Sequence, residues 1–198
     1  MVIRPSRFNL YLLVAATALL AATGCQSAKT KEEKQKATLR IHLETNPLPS
    51  GQSEVVNVLR AAPILVSIEK RPFLSEANIA DALVAETPDG FALVIQFDQQ
   101  GQRLLEQYSA ANSRRRFAIR TQFRQSTNVF DRWIAAPLIT GRINNGILSF
   151  TPDADQAEAE IIVRGWNNVA LENNPKKKAE DKKKAEDKKK AEASSAPK

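Results

Sequence analysis

Phe91-Ala-Leu-Val-Ile-Gln-Phe-Asp98 is followed by Gln99-Gln-Gly-Gln-Arg-Leu-Leu-Glu-Gln-Tyr-Ser-Ala-Ala-Asn112 and then Arg115-Arg-Phe-Ala-Ile-Arg-Thr-Gln-Phe123. The reading of these three runs decides the fold. The first is almost continuously apolar and closes on an acid, the pattern of a strand covered, at least in part, on both faces. Asp98 is placed to cap the helix that follows. Gly101, Leu104, Leu105 and Tyr108 lie at i, i+3, i+4 and i+7. They form one stripe against a sheet, and Gly101 lets the helix come close. Asn112 and Ser113 are stop signals, after which Phe117, Ile119 and Thr121 alternate with Ala118, Arg120 and Gln122 as a strand. Arg114–Arg116 invites an anion-binding role. The plainer reading is a solvated turn at a helix C-terminus, where the dipole favours cations.

Downstream, Trp133 and Ile134 belong to another strand, ended by Pro137. Leu138–Gly141 and Gly146–Phe150 read as two further short strands joined by an Asn144-Asn145-Gly146 turn. Thr151-Pro152-Asp153 reads as a helix start with Thr151 as N-cap. Ala159, Ile162, Trp166 and Val169 then share one face, although Glu160–Arg164 also reads as a strand.

Upstream, Leu39, Ile41 and Leu43 alternate with Arg40, His42 and Glu44, a half-buried strand that puts His42 on its polar, exposed face. Prolines and a glycine in Asn46–Gly51 end it. Val55–Leu59 fits a short strand or one helical turn, and Ile64–Lys70 a strand with Ile64, Val66 and Ile68 on one face. In Phe73–Val84, Ser75 is a credible N-cap, and Ala77, Ile79, Ala80 and Leu83 recur at helical spacing, which predicts a helix. Thr87-Pro-Asp-Gly90 is a turn by composition. Strands and helices therefore interleave in an α+β domain, a mixed or antiparallel sheet with helices packed on one face, ferredoxin-like in outline.

The ends carry different chemistry. Residues 1–25 read as a signal peptide: Arg4 and Arg7, then the uncharged Leu10–Ala22, too short to span a bilayer comfortably. Ala22-Thr23-Gly24-Cys25 resembles the lipobox of bacterial lipoproteins, which makes Cys25 the lipidation site. An ordinary signal peptide cut nearby, or an uncleaved anchor, is the other reading. Residues 26–36 form a polar linker, 37–172 the domain, and 173–198 a tail that repeats Lys-Lys-Lys-Ala-Glu-Asp from Lys176. The tail has no apolar stripe and cannot build a core. It is either a solvated spacer or a contact for anionic lipid, cell-wall polymer or an acidic partner. Gln26, where an aspartate often marks inner-membrane retention, leans towards the outer membrane.

Charge and composition exclude several classes. The formal charge is +7, but Ala37–Glu172 holds 13 Lys/Arg against 15 Asp/Glu. A nucleic-acid-binding domain should carry basic charge on the fold itself, so no nucleic-acid partner is expected. One cysteine and one histidine give no disulfide and no ordinary zinc set. No nucleophile elbow or phosphate loop is present, and Asp153 with Asp155 fits a helix first turn. No catalytic residue, metal or cofactor is expected.

Several of these runs together resemble the first periplasmic, head-like domain of SecD, an accessory membrane protein of the bacterial translocon. The resemblance is carried by Phe91–Asp98 with Gly101, by Phe117-Ala118-Ile119, and by Ile134-Ala135-Ala136-Pro137-Leu138-Ile139 with Ile143 and Gly146. Phe73-Leu74-Ser75 with Asn78–Ala82, and the closing Ala157–Gly165, extend it over roughly residues 60–165. It implies a SecD-head-like fold and a surface for unfolded or partner polypeptide. It does not imply motor activity: SecD uses transmembrane helices to couple proton flow to export, and no such apolar span follows the leader here. The sequence thus leads to a non-enzymatic envelope lipoprotein with an export or assembly role. The alternative is a tether between membrane and anionic envelope material through its tail.

Overall fold

Alternating apolar residues lay down three sheets, every strand pairing antiparallel, in the computed structural model, which describes residues 35–47, 51–60 and 62–173. The leader with Cys25, the linker up to Lys34 and the lysine repeats lie outside the described residues. The strands are β1 (Arg40–Leu43), β2 (Ser53–Val58), β3 (Ile64–Glu69), β4 (Leu74–Ser75), β5 (Ile79–Thr87), β6 (Gly90–Phe97), β7 (Phe117–Gln125), β8 (Asn128–Ala135) and β9 (Ile147–Phe150). Two helices join them, α1 (Gln99–Ala111) and α2 (Gln156–Asn173). The sheets run β4-β1-β7-β8, β2-β3 and β5-β6-β9.

One core takes the inner faces of the four- and three-stranded sheets and a stripe of each helix. Ile41, Phe117, Ile119, Leu93, Ile95, Leu105, Ile162 and Trp166 are all fully buried in it. Trp166 donates its indole N–H to the Thr38 carbonyl at 2.9 Å, so its one polar atom is satisfied. A smaller core of Val58, Val66, Ile68, Ala118 and Ala136 lies where the β2–β3 hairpin covers the back of the four-stranded sheet. The α+β class read from the sequence holds, as do the strands at 39–43, 64–69 and 117–125 and the helix after Asp98. Asp98 accepts the Gly101 N–H at 2.7 Å, and a Cβ on Gly101 would stand 2.9 Å from Phe97 Cβ. Val55–Val58 resolves as strand, and Ile161–Arg164 as helix.

Four expectations are corrected. The helix over Phe73–Val84 does not form. A two-residue strand and a single 3-10 turn, Glu76–Asn78, precede the long strand β5. A bulge between Ile79 and Asp81 inserts one residue into β5, so Ile79 and Ala82 both point inward at a spacing of three. That spacing imitates a helical stripe. Leu138–Gly141 is no strand; it makes one bridge, Leu138 to Arg116, and β9 pairs with β6 instead. The last helix starts at Gln156, not after Thr151; the Asp153 N–H goes to the Ile134 carbonyl at 2.6 Å. Asp155 then accepts the Glu158 N–H at 2.8 Å, as a cap would. Finally, His42 is buried, because the β2–β3 hairpin covers the polar face of β1.

Candidate polypeptide-binding surface

β6 is the middle strand of the β5-β6-β9 sheet, and period two divides its apolar run between two faces. Leu93, Ile95 and Phe97 face the main core, with Ala82, Leu148 and Phe150 on the neighbouring strands. Ala92, Val94 and Gln96 face outward. On that outer face Leu83 stands directly opposite Val94, Ala85 opposite Ala92, and Ile147 opposite Gln96. Leu83 is 50% exposed and Ile147 37%; Val94 is half-buried between Leu83 and Ser149, and Gln96 lies between Asp81 and Ile147. The run read as covered, at least in part, on both faces is packed on one; on the other its own Ala92 is buried and Val94 and Gln96 half-buried, while Leu83, Ser149 and Ile147 on the flanking strands are exposed.

The two edges of this sheet differ. On β5, the Asn167 side chain of α2 accepts the Ala82 N–H and donates to the Ala82 carbonyl, both at 2.8 Å. A side-chain amide there takes the place of a neighbouring strand and closes the edge. At β9, the Ile147 N–H is met locally by the Asn145 side chain at 3.0 Å. Among the described residues β9 pairs with β6 alone, and its length is four residues.

The other residues singled out in the sequence have structural work. Arg115 and Arg116 donate to the Glu44 and Ala136 carbonyls at 3.1 and 2.9 Å, and the Glu44 carboxylate accepts the Arg116 N–H at 2.7 Å. These two guanidinia hold loops. Asp153 accepts the Arg60 N–H at 2.7 Å, which ties the tip of the β2–β3 hairpin to the start of α2. Buried Glu158 pairs with Arg132 at 2.5 Å. A cleft of about 270 Å³ beside the end of α2 is lined by Ala77, Ile79, Asp81, Asp98, Ala170 and others. The Asp98 carboxylate is already used on the Gly101 amide. Among the described residues no three His, Cys, Asp or Glu side chains gather as a metal site would require. Among them, no helix is long and apolar enough to cross a membrane.

Leu83 and Asn167 were missed by the sequence reading, Leu83 because the helical spacing placed it inside. The signal was there: a Pro-Asp pair between two apolar runs, closed by Gly90, is hairpin punctuation. In the structure it is the two-residue turn between β5 and β6, with Gly90 at φ +130°.

No family model matches this chain, and no curated protein does. Among solved structures, it is similar to a membrane component SecDF that enhances protein export, at 17% identity and a TM-score of 0.49, covering 74% of this chain and 70% of that one. It is similar to SecDF in a super-membrane-facing form at the same identity and TM-score, over 70% of this chain and 20% of that one. SecDF of Thermus thermophilus, a translocon-associated membrane protein, matches at 13% identity and a TM-score of 0.37, over 82% and 34% of the two chains. The fold class rests on the strand pairings and the core rather than on these likenesses.

Proposed function

We infer that this chain is a lipid-anchored envelope protein whose domain binds other polypeptides without enzymatic chemistry, in support of export or assembly. The observation that carries the reading is the open apolar face of Leu83, Val94 and Ile147. A half-buried strand normally turns polar side chains to water, and apolar ones gathered on an outer face mark an interaction site. The occupant that fits is an extended apolar segment of another polypeptide, laid across the sheet beside the short β9 edge. The resemblance of residues 60–165 to the SecD head region supports the same reading.

The anchor is the lipobox-like Ala22–Cys25, with acyl chains on Cys25. Each buried CH2 contributes about 0.8 kcal/mol, and more than one chain makes release negligible. The domain then stands outside the cytoplasm, on the cytoplasmic membrane or on an outer membrane facing the periplasm. A second reading, the tether, rests on Asn173–Lys198, with 10 basic residues against 5 acidic.

A photo-crosslinking residue placed at Leu83 in intact cells tests the first reading, with exposed Arg124 as control. Translocon subunits or secreted chains captured from position 83 and not from 124 support it. Capture of wall or outer-membrane material alone, lost on deleting the tail, supports the tether instead.

A further inference from the structure

The β2–β3 hairpin covers a histidine. It rests on the back of the four-stranded sheet through a small apolar cluster, buried Val58, Val66, Ile68, Ala118 and Ala136 with partly buried Val56, Leu59, Ile64 and Trp133 against them. Between the two layers sits His42 of β1, 6% exposed. Its Nδ1 lies 2.8 Å from the Glu69 carbonyl oxygen at the end of β3. Its ring meets the Trp133 ring of β8 edge-on, centroids 5.1 Å apart. The hydrogen bond to a carbonyl makes Nδ1 the protonated nitrogen of the neutral ring.

We propose that protonation of His42 releases the β2–β3 hairpin from the back of the four-stranded sheet. The surroundings of the ring set the sign. A second proton would place an imidazolium between two packed layers, where burial disfavours charge. Arg40 on β1 and Arg120 on β7 repel it, while Glu54 on β2 and the Glu69 carbonyl on β3 favour it. Arg120 cannot easily swing away: Asp131 of β8 holds it through two bonds of 2.7 and 2.9 Å, and its guanidinium lies 5.7 Å from the Trp133 ring centroid. Burial is the largest of these effects, and the net result holds the imidazole below its usual 6.5 in the closed state. The open state hydrates the ring and restores the ordinary value.

The closed form therefore binds fewer protons than the open form. Its stability is fully present above 6.5 and is lost as pH falls below it. The open-to-closed ratio rises by up to about tenfold per pH unit in that range. Opening must break the Arg60–Asp153 contact at the hairpin tip, the Glu44–Ile68 bridge and the Thr45 N–H bond to the Ser67 carbonyl at 2.8 Å. Opening exposes Trp133 and Ala118, a second apolar surface on the opposite layer from Leu83. The proposal is independent of which polypeptide, if any, the Leu83 face binds.

Hydrogen exchange by mass spectrometry on the full chain between pH 7.5 and 5.0, corrected for the intrinsic rate, reads the opening directly. Peptides from 53–69 should lose protection on acidification, by up to about tenfold per pH unit below 6.5, while those from 157–170 do not. His42→Asn and His42→Phe should remove that pH dependence. An NMR titration of the wild-type imidazole guards against a variant that fails to fold. A ring that titrates at or above 6.5, or 53–69 protection that tracks α2 at every pH, overturns the proposal.

Discussion

Gly165 sits in the middle of α2, where an alanine would ordinarily gain about 1 kcal/mol in helix propensity. Here a Cβ would stand 2.6 Å from the Ala37 backbone nitrogen and 2.7 Å from Ala37 Cβ. Backbone cannot yield as a flexible side chain does, so overpacking wins. Gly165→Ala should lower stability by about 2 kcal/mol in denaturant titration. Gly101, by contrast, was legible as a close-approach glycine from its place on the α1 stripe. Gly165 was not, because what it approaches is residues 36–37, more than a hundred positions away. His42 failed to be read for the same reason. Alternation correctly gave it the opposite face from Ile41, but the layer that covers that face is a separate hairpin, and period two carries no information about it.

At the level of elements, β5 is the instructive case. Its bulge places Ile79 and Ala82 inward at a spacing that a helix would also use, and the local pattern cannot separate the two. The readings differ over Leu83, which a helix would bury and the strand exposes. Leu83→Ser should therefore change stability by no more than about 0.5 kcal/mol, as surface substitutions do. A loss of about 2 kcal/mol or more in thermal unfolding, the cost of deleting a core side chain, would restore the helix. Asn167 is the opposite kind of position, half-buried and spending both amide groups on the Ala82 backbone. Asn167→Leu leaves a strand N–H and C=O without partners and should cost about 1–3 kcal/mol in the same measurement. The β6–α1–β7 succession was legible because strand, cap and stripe follow one another along the chain. The pairing of β9 with β6 was not, because a four-residue strand carries no mark of its partner.

Across the whole molecule, charge is sorted by segment: the net +7 comes from the two ends, while Ala37–Glu172 is slightly acidic. This division was plain in the sequence. The anchor is predicted at the same scale: Cys25→Ser should move the protein from the membrane to the soluble fraction in a simple fractionation, and an unchanged membrane fraction would contradict lipidation. The open apolar face is a property of the assembled sheet, since Leu83, Val94 and Ile147 come from three strands. Binding of an unfolded, fluorescently labelled apolar polypeptide to the wild-type chain and to a Leu83→Glu, Ile147→Glu variant, measured by anisotropy, tests it most directly. The wild type should bind and the variant should bind at least tenfold more weakly with its unfolding temperature retained, a loss of about 1.4 kcal/mol or more. Equal binding by the two, or none by either, would contradict a polypeptide-binding face on this sheet.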